Sequence, residues 1–381
     1  MKDFLTSQFK DAIPDLKEID TLLTEIRKTT DGLAKSGLAD IEKQSFRTAS
    51  RYGKSAADYL QAVRDAAGAG YKNAADIAEL SLAAQNAGGI TAELANQYIS
   101  AADNAYRLGG SVEKLTAILD GASAISSGNA VSMAELAEGM SLAGEYTASL
   151  GLGADEATAA LATVIAATGQ GGTEAAQSLK AILLNTQQIA DEGQGIDGGG
   201  LARYADACRA LNVSLEETKD GASSLRGPMA ILKDLSQAYA ALAPGDARKA
   251  SLLDSLGSAQ GAQALDAVLS NFGMYEKMLQ EYTYGTGALA EQAELTANSW
   301  EGSLNRLSNT WADTVGSLVD SDAVIAIVNS LNGVLSVINS ITKALGPLGT
   351  AGLGAGLFAS FKNVGRDKTS SPIVLNMPTA A

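Results

Sequence analysis

Between Leu150 and Leu184 apolar residues recur at three- and four-residue intervals, stop at a group of glycines, and resume with the same period. Ala157, Leu161, Val164 and Ile165 share one helical face, and Ala176, Leu179, Ile182 and Leu183 share another. Gly169, Gly171 and Gly172 interrupt both patterns. Because glycine takes positive φ without steric cost, these three read as a structural turn joining two helices of about four turns in an αα-hairpin. Small residues on both faces let backbones approach closely and leave little room for side chains that could do chemistry.

The same grammar extends along the chain. From Ser55 to Leu119, three segments (AADYLQAVRDAAGAG, NAADIAELSLAAQNAGG and TAELANQYISAADNAYRLGG) each read as a helix stopped by glycine. Ser132 with Glu135, and Ser214 with Glu217, have capping-box spacing and mark two helix starts. Near the amino terminus Pro14 suits a first helical turn. Beyond it Leu16, Ile19, Leu23, Ile26 and Leu33 form a short a/d seam, open to self-association or to packing within the chain. Only six prolines punctuate 381 residues, and the 46% apolar content rests on Ala and Leu with 5% aromatic residues. The fold class is therefore all-α: a bundle of short helical hairpins with glycine turns, followed by a long helix and an apolar C-terminal helix.

The divisions expected are an N-terminal helical or coiled-coil segment at 1–54, a hairpin core at 55–192, and a glycine-rich linker at 193–200. After these come a second helical subdomain at 201–285, a long helix at 286–320, an apolar amphipathic segment at 321–361 and a disordered tail at 362–381. In the long helix Leu289, Ala293, Ala297, Trp300, Leu304, Leu307, Trp311, Val315 and Leu318 make one stripe. As a continuous helix this would run about 45 Å. Trp300, Leu304, Leu307 and Trp311 on it are the expected interface anchors.

Ala323–Thr342 is twenty residues without a charge, enough to span a bilayer. Asn329, Asn332, Ser336, Asn339 and Ser340 nevertheless draw a polar strip along it, opposite Val328, Leu331, Leu335 and Ile338. It reads as an amphipathic partner-binding helix in preference to a spanning one. Val324, Ile327, Leu331, Leu335 and Ile338 are the residues it would place in a membrane.

The chain contains no histidine, which excludes Ser-His-Asp and Cys-His nucleophiles and H-E-x-x-H zinc sites. A single cysteine, Cys208, reads as a small buried hydrophobe and excludes thiolate metal clusters. Gly352-x-Gly354-x-Gly356 lacks both the preceding strand and the spacing of a dinucleotide loop, and GRDKTSS lacks the order of a P-loop. Carboxylate pairs such as Asp320 with Asp322 and Glu216 with Glu217 read as solvated charge at helix ends. The net charge of −15, with no basic stripe, argues against direct nucleic-acid binding. The charged amino terminus lacks a signal-peptide core, so Sec export is not indicated. The expectation is no enzyme, no cofactor and no metal.

A family likeness rests on these segments. LGLGADEATAALATVIAATGQGGTEAAQSLKAILL resembles the core of phage tail tape measure proteins, in the group common to siphophages and Gram-positive prophages. SMAELAEGMSLAGEYTASLG upstream is similar to the helix preceding that core. LNVSLEETKDGASSLRGPMAILKDLSQAYAAL and LLDSLGSAQGAQALDAVLSNF downstream keep the family's order, and the tryptophan-bearing stripe sits where the family has its first extended helix.

The likeness covers roughly Ser55 to Leu318. It implies a structural scaffold in the virion tail, assembled in the host cytoplasm, that sets tail-tube length and assists genome delivery. The partners it implies are tail tube protein, tail assembly chaperones, further copies of the chain in the tube lumen, and the host membrane in transient contact during infection. As a single helix the whole chain would reach only about 570 Å, so a fragment, a truncated prophage copy or a core without a long repeat region is expected. A membrane-active pore-forming protein or effector using the apolar segment is the competing reading.

Overall fold

The computed structural model describes residues 2–29, 35–187, 200–219, 222–256 and 258–318. Among these are sixteen helices and one two-stranded hairpin. The helices before the hairpin are α1 (Lys2–Thr29), α2 (Lys35–Tyr52), α3 (Ala56–Gly68), α4 (Ala74–Gly88), α5 (Ala92–Tyr106), α6 (Val112–Gly128), α7 (Met133–Ser149), α8 (Ala154–Thr168), α9 (Gly172–Gln187) and α10 (Gly200–Ala210). Strands β1 (Glu216–Lys219) and β2 (Ala222–Leu225) follow. After them come α11 (Pro228–Ala240), α12 (Ala247–Asp254), α13 (Ala259–Ser270), α14 (Phe272–Thr283), α15 (Ala288–Ala297) and α16 (Trp300–Leu318). The all-α class holds.

Local chemistry sets most of the helix boundaries. At the start of α7 the Glu135 N–H donates to Ser132 Oγ (3.2 Å) and the Ser132 N–H donates to Glu135 Oε2 (2.8 Å), the capping box expected there. Ser55 and Asp58 build the same box at α3. α4 and α8 end on Gly89 and Gly169 in the left-handed region, at φ +59° and +69°. α5 stops earlier than its glycines suggest: Arg107 takes the left-handed turn at φ +51°, and Asp103 accepts from the Gly110 N–H at 3.0 Å.

Two local expectations fail. α1 runs through Pro14 instead of starting there, so the helix forgoes the one backbone bond proline cannot donate. Ser214 caps no helix: its Oγ donates to the Glu216 carbonyl at 2.7 Å and leads into β1. Glu216 and Glu217 therefore lie on a strand, antiparallel to β2 in the register Glu216↔Leu225 and Lys219↔Ala222. Asp220 and Gly221, between the strands, are the residue types that a two-residue hairpin connection favours.

The chain divides into two units, Ile19–Asn309 and Met1–Glu18 with Thr310–Ala381. Of the latter only the first part of α1 and the end of α16 are described. The former holds one continuous core. Residues on both sides of the expected 193–200 linker enter it, because α13 packs on α8 and α9 while α14 packs on α8 and α6. The linker thus separates no two cores. Ile19, Leu23 and Ile26 of the seam are buried, and Arg64 on α3 pairs with Glu25 at 3.0 Å, which favours packing within the chain.

The α8–α9 hairpin exists, but α9 packs more extensively on α7 than on α8, and α8 packs chiefly on α14. The three expected turn glycines accordingly have separate roles. Gly169 supplies the left-handed residue. A Cβ on Gly171 would meet nothing within 4 Å. A Cβ on Gly172 would stand 2.1 Å from the Glu135 carbonyl oxygen, so this glycine lets α9 meet the backbone of α7.

Candidate interaction surface

The stripe read as one long helix is carried by two. α15 ends at Ala297, Asn298 closes it, and Ser299 caps α16, accepting from the Gly302 N–H at 3.2 Å. Gly302 makes the break feasible, because a Cβ there would lie 2.2 Å from the Ala297 carbonyl oxygen. The single helix expected over 286–320 is thus interrupted at 298–299. The sequence signal for this was the Ser299-x-x-Gly302 pair, a cap followed by a residue with no side chain.

The break changes which face looks inward. On α15, Leu289, Ala293 and Ala297 are each 2% exposed and pack into the core against α4 and α6. The α15 N-terminus is held by Asp120 of α6, which accepts from the Gly287 N–H (2.9 Å) and the Leu289 N–H (3.0 Å). A carboxylate there satisfies donors that α15 cannot pair internally and sits at the positive end of the helix dipole.

On α16 two asparagines bond to the turn between α2 and α3. Asn305 Nδ2 donates to the Gly53 carbonyl at 2.8 Å and Asn309 Nδ2 to the Lys54 carbonyl at 2.7 Å, while Asn309 Oδ1 accepts from the Ala56 N–H at 3.0 Å. Gly53, at φ +62°, lies so near Gly302 that a Cβ on it would come within 2.6 Å of the Gly302 Cα. At 100° per residue, Gly302, Asn305 and Asn309 lie on the side of α16 opposite Trp300, Leu304 and Leu307. Trp300 is accordingly 71% exposed and Leu304 44%, and Leu307 is half-buried. Trp311, the fourth expected anchor, lies on α16, and its side chain falls outside the described residues. Leu295, on α15 just before the break, is a further exposed apolar side chain at 65%.

A groove of about 820 Å³ lies between α2, α4, α6 and α15, floored by Leu80, Ala83, Leu289 and Ala293. Two of its carboxylates have structural duties: Asp120 caps α15, and Glu79 pairs with Arg51 and accepts from the Tyr52 hydroxyl. Among the described residues no three metal-ligating side chains gather in one place. Cys208 is buried in the core, and that burial pushes its thiol up to about 12. Among the described residues no helix is long and apolar enough to cross a membrane. The expected membrane residues Val324, Ile327, Leu331, Leu335 and Ile338, with Asp320 and Asp322, lie outside the described residues.

The described residues thus form a bundle of small-residue helices, tied by buried backbone-to-side-chain bonds, with Trp300 and Leu304 exposed on α16. The chain belongs to the phage-related minor tail protein family, whose sequence model matches residues 42–258, more than half of the chain. It is a structural component of a phage tail. The family match ends before α13, so α15, α16 and the apolar face lie beyond it. Comparison with curated proteins and with solved structures found no match.

Proposed function

We propose that the chain is a tape measure protein whose unit Ile19–Asn309 is a helical body and not the measuring element itself. The observation carrying this reading is the order of glycine-punctuated helices within the family match, followed by a helix whose apolar side is turned to solvent. A body of this kind anchors an assembly, and an extended helical portion attached to it would set the length. α15 ends at Ala297 and α16 begins at Trp300, so an uninterrupted helical ruler would begin no earlier than α16. In this role the partners are tail tube protein, which polymerises around the ruler, and the assembly chaperones that keep its apolar segments covered beforehand.

The test is to insert helical sequence in frame after Leu318 and to measure tails by electron microscopy. Tails should lengthen by about 1.5 Å per inserted residue, the rise of an α-helix. An unchanged length distribution in infective particles would overturn the tape-measure reading and leave the family membership intact.

A further inference from the structure

We propose that the interruption between α15 and α16 is a latched state, and that freeing α16 from the turn between α2 and α3 lets the two helices run on as one. Apolar residues keep a single three- and four-residue period across the break: Leu289, Ala293, Ala297, Trp300, Leu304 and Leu307. Only in a continuous helix do they all share one face. In the structure they are parted, the first three each 2% exposed, Trp300 71% and Leu304 44%.

The break itself is slight. Asn298 has φ −85° and ψ 6°, so its φ is near the helical value and its ψ lies about 50° away from it. The Asn298 N–H still donates to the Glu294 carbonyl, and the Ser303 N–H to the Ser299 carbonyl, each at 3.0 Å in the helical i to i−4 pattern. Between them the Gly302 N–H goes to Ser299 Oγ at 3.2 Å, in place of the Asn298 carbonyl, which starts a new helix. Helical angles at Asn298 and Ser299 would close the ladder.

What holds the break comes from far along the chain. Asn305 and Asn309 donate to the Gly53 and Lys54 carbonyls, and Asn309 accepts from the Ala56 N–H. Gly302 stands against the Ala297 carbonyl oxygen and against Gly53, both approaches closed to a residue with a Cβ. α15 has separate anchors: Asp120 at its start, and Thr296 Oγ1, which donates to the Asn86 carbonyl at 2.9 Å. α16 can therefore be released while α15 stays seated. An apolar partner along the stripe favours the continuous state, because only that state offers the stripe whole. An uninterrupted helix then begins at Ala288 instead of Trp300.

The test is read on the full chain by NMR, from the Cα chemical shift of Ser299 and the amide exchange of Glu301. Gly302→Ala puts a methyl against the Ala297 carbonyl and raises helix propensity, while Asn305→Ala with Asn309→Ala removes the side-chain bonds. Each should bring the Ser299 shift to a helical value and slow Glu301 exchange about tenfold or more, because that N–H gains the Ala297 carbonyl. Asn305→Ala alone leaves the buried Asn309 in place and should give a smaller change in the same direction, which keeps the test open where the double variant fails to fold. Trp300→Pro suits the first position of a separate helix and not the interior of a continuous one, so in either background it should return Glu301 exchange to the parental rate. Parental values in every releasing variant would place the break in the local sequence and overturn the proposal. Random-coil shifts across residues 303–309, in place of helical ones at 298–299, also overturn it. Helix continuity is read on the isolated chain and tape-measure function on tail length, so either can fail without the other.

Discussion

Asp120 on α6 and the backbone of Leu289 at the start of α15 meet at 3.0 Å across 169 residues of sequence. The same carboxylate holds the Gly287 N–H, so one buried side chain fixes where α15 begins and hence where the α15–α16 break stands. Asp120→Ala would leave two N–H groups without their acceptor, at a cost of about 1–3 kcal/mol. Asp120→Asn retains one acceptor oxygen and should cost less. Urea unfolding of the two variants beside the parent checks the order.

The glycines of the α8–α9 connection should separate in the same assay. Gly171→Ala meets open space and should leave stability near the parental value. Gly169→Ala forces a Cβ into the left-handed region at φ +69° and should cost about 1–2 kcal/mol. Gly172→Ala drives a methyl into the Glu135 carbonyl and should be the most damaging of the three. A Gly171 variant as unstable as the Gly172 one would contradict the packing of α9 on α7.

On α16 the usual ranking of apolar and polar positions should be reversed. Asn309→Ala removes bonds to the Ala56 N–H and the Lys54 carbonyl in a buried position and should lower stability by about 2–4 kcal/mol. Leu304→Ser, on the exposed side, should change stability by less than about 0.5 kcal/mol. Thermal unfolding distinguishes them.

Cys208 should be inert in the folded chain. Its burial raises the thiol to about 12 and keeps reagents out, so labelling at pH 8 should be negligible until denaturant is added. Rapid labelling without denaturant would show that the helices around it open readily.

Acid should loosen α12 at a definite step. Asp246 caps that helix, accepting from the Arg248 N–H at 2.9 Å, and the Arg248 guanidinium beside it holds the carboxyl at about 2, below its ordinary 3.8. A folded value below the unfolded one adds stability at pH above about 4, and this is lost as pH falls towards about 2. Amide exchange at Arg248 should accelerate across that interval and not above it.

The helices and several of their ends are legible in the sequence, because periodicity, caps and glycine stops are local: Ser132 with Glu135, and Gly169, act within a single turn of chain. The sequence also drew the stripe from Leu289 to Leu318 and excluded histidine chemistry. Ser214 misled because a hydroxyl two residues before a backbone N–H serves a hairpin as readily as a helix, and hairpin pairing depends on a second strand.

What each face meets is set by packing between segments distant in sequence. The stripe has one phase in sequence, yet Leu289, Ala293 and Ala297 on α15 are buried while Trp300 and Leu304 on α16 are exposed, because the break at 298–299 and the Asn305 and Asn309 bonds to the α2–α3 turn set the orientation. Period depends on backbone geometry and is written in neighbouring residues. Direction depends on partners more than two hundred residues away.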